Sequence, residues 1–415
     1  MSYFRIFIYL KFIDFIKSFF ITSTYLLEKE VKEKFNHITN KKESVITSQL
    51  RTGLVIILKH LKKKSPSKRE IIVSSYNLAE MVSICKNLKL KLVFPKLNSN
   101  LFLSDKDVKK KINKNTLAVL TTNIFNDYND ILKIKKICKI KKIPLIEDNA
   151  IYFGNYVKKG NKKIYSGSAG DYSLHSFNIM KNISAMFGGM VSTNDKTFIK
   201  FAIQEIQNFK NFSNLKYAKQ IFIYILLKIF SIKFLYKLLF FHLIKISHKK
   251  NIKFIMNAIY PSLKFDKKSN YKSYLNKAHP LSISMIHIQL KDNKTFNSNY
   301  KIRIFNNMLY RKLFKKYKIN QLKTFKITEK TFQNFNEFPI IVEDKDRLKD
   351  YLFDKGVETK LIQYVDCNKI FSSKTQLKYI TSYENKILCL PNHKNINKSY
   401  ILYIVDCINS FYKNN

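Results

Sequence analysis

The 415-residue chain has no tryptophan and only eight glycines, seven prolines and five cysteines. Cys85, Cys138, Cys367, Cys389 and Cys407 are odd in number and scattered, with no C-x-x-C pair. That excludes a disulfide framework and a zinc knuckle, and a reduced, cytoplasmic setting is expected. So little Gly and Pro, with 46% apolar residues, excludes a low-complexity chain and points to a globular one. Acidic residues are scarce too: 29 against 76 basic ones, for a formal charge of +47. Only Arg5, Arg51, Arg69, Arg303, Arg311 and Arg347 are arginines. Base readout draws on Arg forks, so nucleic acid is not the expected partner. Abundant Lys, Asn, Ile, Phe and Tyr fit A/T-biased codons and solvated faces. Such a surface can still attract anionic lipid or a diphosphate. The first twenty residues are apolar but carry Arg5, Lys11, Asp14 and Lys17 and lack a cleavage site, so no signal peptide is expected.

What is present is an alternation of helix and strand. An N-terminal helical arm is expected over 1–45, its first twenty residues forming a surface or membrane-facing helix. From Thr47 onward, helices are predicted at 51–61, 79–88, 105–112 and 128–140. Short apolar strands are predicted at 70–75, 91–94, 117–121, 144–148, 172–176 and 190–193. Such strands between helices predict an α/β domain over 46–215, with a mostly parallel sheet covered by helices. Ligands of such sheets sit beyond the strands' carboxyl ends, where Tyr76, Asp148 and Ser176 fall. A basic, very apolar insertion follows at 216–262. Its core, 221–246, contains Lys228, Lys233, Lys237 and Lys245, and central lysines argue against a membrane span. Two readings stay open: an in-plane helix at a membrane surface, or a helical hairpin buried against the fold or a partner. A smaller C-terminal α/β domain is expected over 263–415. It should contain a long helix at 282–317, strands at 338–342, 359–362 and 387–390, and helices at 344–355 and 398–412. Asp344 and Gly356 are expected to cap and stop the helix at 344–355.

The chemistry gathers in 143–193, which holds six of the eight glycines. A sheltered lysine can lose its proton and condense with an aldehyde. A strand-end Asp can hold a protonated ring nitrogen, and a Ser with backbone amides at a helix start can hold a phosphate. Lys181, Asp148 and Ser176 together meet the needs of pyridoxal phosphate. Each residue alone has an ordinary explanation as a solvated lysine, a cap or a salt-bridge partner.

The combination resembles the DegT/DnrJ/EryC1/StrS family of sugar aminotransferases. The residues that carry the likeness are Ile146-Glu147-Asp148-Asn149-Ala150, Gly170-Asp171, Ser176-Phe177, Lys181-Asn182 and Gly188-Gly189. Arg51-Thr52-Gly53-Leu54 and Leu390-Pro391-Asn392-His393 add looser matches. The resemblance implies the fold type I of pyridoxal-phosphate-dependent transferases. It implies that Lys181 carries the cofactor and moves a proton between its C4′ and the substrate Cα. Asp148 would bond the pyridine nitrogen, and Ser176, Thr52 and the Gly53 amide the phosphate. Leu78 occupies the place of the ring-covering aromatic. Asn276 would complete the site from a second subunit, which implies a homodimer. The implied substrates are an amino donor, glutamate, and a keto-sugar on a nucleotide diphosphate, for glycan or surface polysaccharide synthesis. Four places depart from the family pattern: Leu78 is not aromatic, Ile151 stands where Gln or His is common, Phe187 stands where an acid is common, and the Asn-x-Arg segment is blurred into Leu275-Asn276-Lys277.

Two other readings remain at this level. One is a catalytically impaired relative that binds a membrane or a partner through 221–246. The other is a basic nucleic-acid or lipid binder whose binding is lost at raised salt, which leaves the glycines around Lys181 unexplained.

Overall fold

The computed structural model describes residues 2–22, 24–250, 252, 270–361, 363–371, 383 and 385–413. The last part of the expected insertion (253–262), the start of the C-terminal unit (263–269) and Ile362 lie outside these residues.

Seven strands form the main sheet: β1 (Glu43–Thr47), β2 (Glu70–Val73), β3 (Lys91–Val93), β4 (Thr116–Thr122), β5 (Leu145–Asp148), β6 (Tyr172–Ser176) and β7 (Gly189–Thr193). Their order is β1-β7-β6-β5-β4-β2-β3. Pairings β2–β3, β2–β4, β4–β5 and β5–β6 are parallel, and β7 alone runs against its neighbours. Successive side chains leave opposite faces. Thus Ile71, Val73, Ala118 and Leu120 enter one apolar core, and Ile72 and Val119 the other. The first core is covered by α3 (Leu50–Lys64), α4 (Ala79–Asn87) and α7 (Lys196–Gln207). The second is covered by α5 (Asp105–Lys111) and α6 (Tyr128–Ile140), capped by the side chains of Ser104 and Asp127. Strand β1 crosses the boundary expected at residue 45 and belongs to the sheet.

The N-terminal arm differs from expectation. Residues 2–10 are not helical, and Tyr3, Phe4, Ile8, Tyr9 and Leu10 are buried. Only α1 (Phe12–Ser18) and α2 (Tyr25–Thr39) are helical. The basic insertion forms consecutive helices: α8 (Asn214–Phe230), then α9 (Lys233–Leu235), a π-turn at Tyr236–Phe240 and α10 (Phe241–Lys249).

The C-terminal unit has a four-stranded sheet of β8 (Leu322–Thr324), β9 (Glu337–Val342), β10 (Lys360–Leu361) and β11 (Ile387–Pro391), in the order β8-β9-β11-β10. The long helix expected at 282–317 is two, α11 (Pro280–Lys291) and α12 (Asn293–Tyr317). They part at Asp292, whose ψ of 70° is not helical. Helix α13 (Lys345–Asp354) starts after Asp344, which makes no capping bond, and ends at Gly356 with φ +82°. Helix α14 (Lys398–Lys413) closes the chain.

Candidate active site

Strand β5 ends in two carboxylates that point to opposite faces and serve different ends. Glu147 is buried, and its Oε1 and Oε2 accept the Gly167 and Gly170 N–H groups, each at 2.9 Å. It therefore clamps the loop that leads into β6. A Cβ on Gly170 would lie 2.7 Å from the Glu147 Cβ, so glycine is required there. Asp148, also buried, accepts the Ala150 N–H, at 2.9 Å, and its carboxylate faces a cavity. Burial raises its pKa from 3.8 to about 6, against the Ala150 bond and the Lys181 charge, which lower it.

Strand β6 ends at Ser176, and the chain then loops to β7 through Lys181. The loop is fixed from below: Phe177, Ile179, Ile183, Ala185 and Met186 are buried. The Lys181 N–H donates to the Asn178 carbonyl at 2.9 Å, and the Ser184 hydroxyl to the Lys181 carbonyl at 3.0 Å. Asn182 donates to the Phe153 carbonyl at 2.6 Å and accepts from the buried Arg303. The Lys181 amine is thus the mobile end of a held backbone. Burial, helped by the Lys360 charge, lowers its pKa to about 8, while Asp148 and Glu337 oppose that shift.

The cavity is about 250 Å³. Asp148, Ser176, Lys181, Leu78, Ala150 and Ile151 line one wall. Leu50 and Arg51, at the start of α3, lie beside it. That helix has no side-chain cap, so its first amides keep their donors. Asn336, Glu337, Lys360, Gln363 and Tyr364 line the opposite wall, from the C-terminal unit. The Lys360 Nζ meets the Glu337 Oε1 at 2.7 Å, reaching across β11. Burial alone would raise the Glu337 pKa, but the ion pair with Lys360 and the Lys181 charge lower it overall.

The structure thus brings together Lys181, Asp148, Ser176 and Leu78 and sets three other expected residues apart. The Thr52 hydroxyl donates to the Tyr274 carbonyl at 2.6 Å, and Thr52 is outside the cavity lining. The Gly53 N–H is already bonded within its helix, to the Gln49 carbonyl at 3.4 Å. A Cβ there would lie 2.6 Å from Val191, so this glycine serves helix-to-sheet contact. Asn276 lies outside the cavity; its side chain donates to the Ser273 carbonyl at 3.1 Å. Of the departures, Leu78 and Ile151 line the cavity, whereas Phe187 packs on Phe212 with ring centres 4.8 Å apart. Sequence reasoning did not find Glu337, Lys360, Gln363 or Tyr364. A lysine among 76 basic residues and a carboxylate at a strand start carry no signal of their own. Arg51 lay inside a quoted motif, and its guanidinium stacks 4.7 Å from the Tyr274 ring centre.

A model of the DegT/DnrJ/EryC1/StrS aminotransferase family matches residues 8–223, just over half of the chain. The chain belongs to that family. Among curated relatives, the GDP-perosamine synthase of Vibrio cholerae is 34% identical over 131 residues, covering 31% of this chain and 35% of that protein. The protein of the same name from Escherichia coli O157:H7 is 35% identical over 95 residues, covering 23% and 25%. The chain thus spans about a third or less of the length of these curated relatives. Among solved structures, PseC of Helicobacter pylori, an aminotransferase involved in pseudoaminic acid biosynthesis, superposes with a TM-score of 0.71 over 100% of both chains at 14% identity. An aminotransferase from Psychrobacter cryohalolentis gives 0.72 over 97% of both, at 15%. These likenesses establish the α/β fold of the family, with its large mixed sheet and helices on both faces.

Proposed function

We propose that this member is a pyridoxal-phosphate-dependent aminotransferase that moves an amino group from glutamate to a keto-sugar carried on a nucleotide diphosphate. One observation carries the reading. An amine whose pKa is lowered to about 8 and a carboxylate whose pKa is raised to about 6 line the same cavity, beyond the carboxyl ends of parallel strands.

The donor set fits the cofactor. Asp148 would hold the pyridine nitrogen protonated, a charge-assisted bond worth about 1.5–3 kcal/mol. Ser176 and the uncapped amides at the start of α3 would hold the phosphate, with Arg51 adding charge. Leu78 and Ala150 offer apolar surface to the ring. When bound, the cofactor supplies an electron sink for the carbon that gains or loses the amino group. Lys181 would carry it through its amine and, once released, move the proton at the substrate carbon, a step worth about 10²–10⁴-fold. Glu337 and Lys360 on the facing wall keep the amine's proton affinity in balance.

Thr52 and Gly53 contribute by position, fixing the start of α3 against Tyr274 and Val191. Asn276 stands outside this cavity and is offered to a second subunit. The reading therefore includes a homodimer in which the partner subunit's Asn276 completes the phosphate site. Products would enter glycan or surface polysaccharide synthesis. A cytoplasmic setting, with peripheral contact at the inner face of a membrane, completes it.

A spectral titration tests the proposal. Protein purified with pyridoxal phosphate should show a visible band that glutamate removes. One member of a panel of nucleotide-linked keto-sugars should restore it. A protein that takes up no cofactor overturns the reading.

A further inference from the structure

Among the described residues, the helices α8 to α10 are tied to the body along one side. On its inner side the Lys228 Nζ donates to the Ile8 carbonyl at 3.0 Å and the Tyr224 hydroxyl to the Leu10 carbonyl at 3.3 Å. The Tyr236 hydroxyl donates to Glu358 at 2.8 Å, and Lys245 pairs with Asp354 at 2.9 Å. Helix α1 lies alongside, with the Phe15 and Tyr224 ring centres 4.7 Å apart. The other side is apolar and open. Phe222, Phe234, Leu239 and Leu243 on these helices are 52–69% exposed, and Phe12 and Phe19 at α1 are 52–55% exposed. A monomeric soluble surface rarely carries so many large apolar side chains in one place.

The charge on this face narrows what can cover it. Residues 208–250 hold nine lysines and no Asp or Glu. Lys219, Lys233 and Lys237 are exposed among the apolar side chains. The one acid of α1, Asp14, interacts with Lys228 on the inner side. A second copy of the chain, set across a two-fold axis, would bring lysine to lysine with no carboxylate to pair. No helix among the described residues is long and apolar enough to cross a membrane. An apolar face with a lysine fringe suits a helix lying in the plane of an anionic interface.

We infer that the face made by α1 and the α8–α10 helices docks on an anionic lipid surface, with its Phe and Leu side chains in the acyl boundary and its lysines at lipid phosphates. This names the surface and the lipid chemistry of the peripheral contact proposed above. It rests on that placement and not on the chemistry at Lys181.

The test is co-sedimentation of the full chain with phosphatidylcholine vesicles, with and without phosphatidylglycerol. The chain should pellet with the anionic vesicles and be released by salt. Each of Lys219→Ala, Lys233→Ala and Lys237→Ala should lower the partition about fivefold. The double variant Phe222→Ser, Phe234→Ser should lower it more than about tenfold. Both substituted rings are exposed, so the fold should survive, as an unchanged cofactor band would show. Protein that stays in the supernatant with anionic vesicles overturns the inference. So does a double variant that still pellets, or one that loses a subunit partner on gel filtration while pelleting as before. A wild-type chain that pellets but shows no cofactor band overturns the enzymatic reading and leaves this one standing.

Discussion

On one wall of the cavity, Asp148, Ser176 and Lys181 stand at or just after the ends of parallel strands, with buried residues beneath them. On the other, Glu337, Lys360 and Tyr364 come from or beside a small antiparallel sheet, and one ion pair links the first two. The first wall is held by sheet hydrogen bonds, by the Glu147 clamp on Gly167 and Gly170, and by a loop packed from below. Its backbone cannot move without disturbing the core. The second wall adds a charged pair whose side chains are 26–32% exposed. The contrast teaches a division of work: the large-domain wall fixes where the chemistry happens, and the C-terminal wall adjusts the proton balance of the amine that performs it.

Substitutions on the two walls should therefore differ in size and in kind. The largest effect is expected from Lys181→Ala, which should end covalent cofactor attachment and lower turnover by about 10²–10⁴-fold. Absorbance spectra and single-turnover rates check it.

Next is Asp148→Asn, which should weaken cofactor binding about 10–100-fold through loss of a charged bond. The same variant should stabilise the cofactor-free protein. The folded-state pKa of Asp148 is raised to about 6, so the folded state binds more protons than the unfolded one between 3.8 and about 6. Stability falls as pH rises through that window, and the cost is complete above it. At pH 8 the variant should melt about 2–4 °C higher, by calorimetry of the apo-protein.

The second wall should act through pH. Cofactor attachment needs the neutral amine, so its rate should rise with pH through about 8 and level off above. Glu337→Gln removes a charge that raises the Lys181 pKa, and should move that midpoint down. Lys360→Met removes one that lowers it, and should move it up. Equal midpoints in both variants would remove the division of work. The smallest effect is expected from Ile151→Gln, which adds one neutral hydrogen-bonding group at the cavity and should tighten cofactor binding about two- to tenfold.

The first wall was legible in the sequence, and the second was not. Parallel strands buried on both faces read as apolar runs, as at Ile71–Val73 and 117–120, and the motif around Asp148 and Lys181 has residue types that the chemistry dictates. Glu337 and Lys360 become a pair only when β9 and β10 are placed on either side of β11, which no local pattern records. Strand β1 was missed because Glu43–Thr47 is short and follows a charged arm. The arm reads as helix because residues 2–10 are apolar apart from Ser2 and Arg5, yet they are not helical, and Tyr3, Phe4, Ile8, Tyr9 and Leu10 are buried. Gly53 shows a different limit: a glycine at a helix start can serve a phosphate, close packing or both, and the close approach to Val191 is visible only in the fold. The run at 221–246 is readable as apolar helix with lysines, but whether it lies on a membrane or against the fold, and which face points outward, depends on tertiary packing.

The most direct test of the central claim is where the cofactor becomes attached. After loading with pyridoxal phosphate, reduction with borohydride and proteolysis, mass spectrometry should find the pyridoxyl group on the peptide containing Lys181, and on no peptide in Lys181→Ala. Attachment spread over surface lysines, unchanged by Lys181→Ala, would contradict the account.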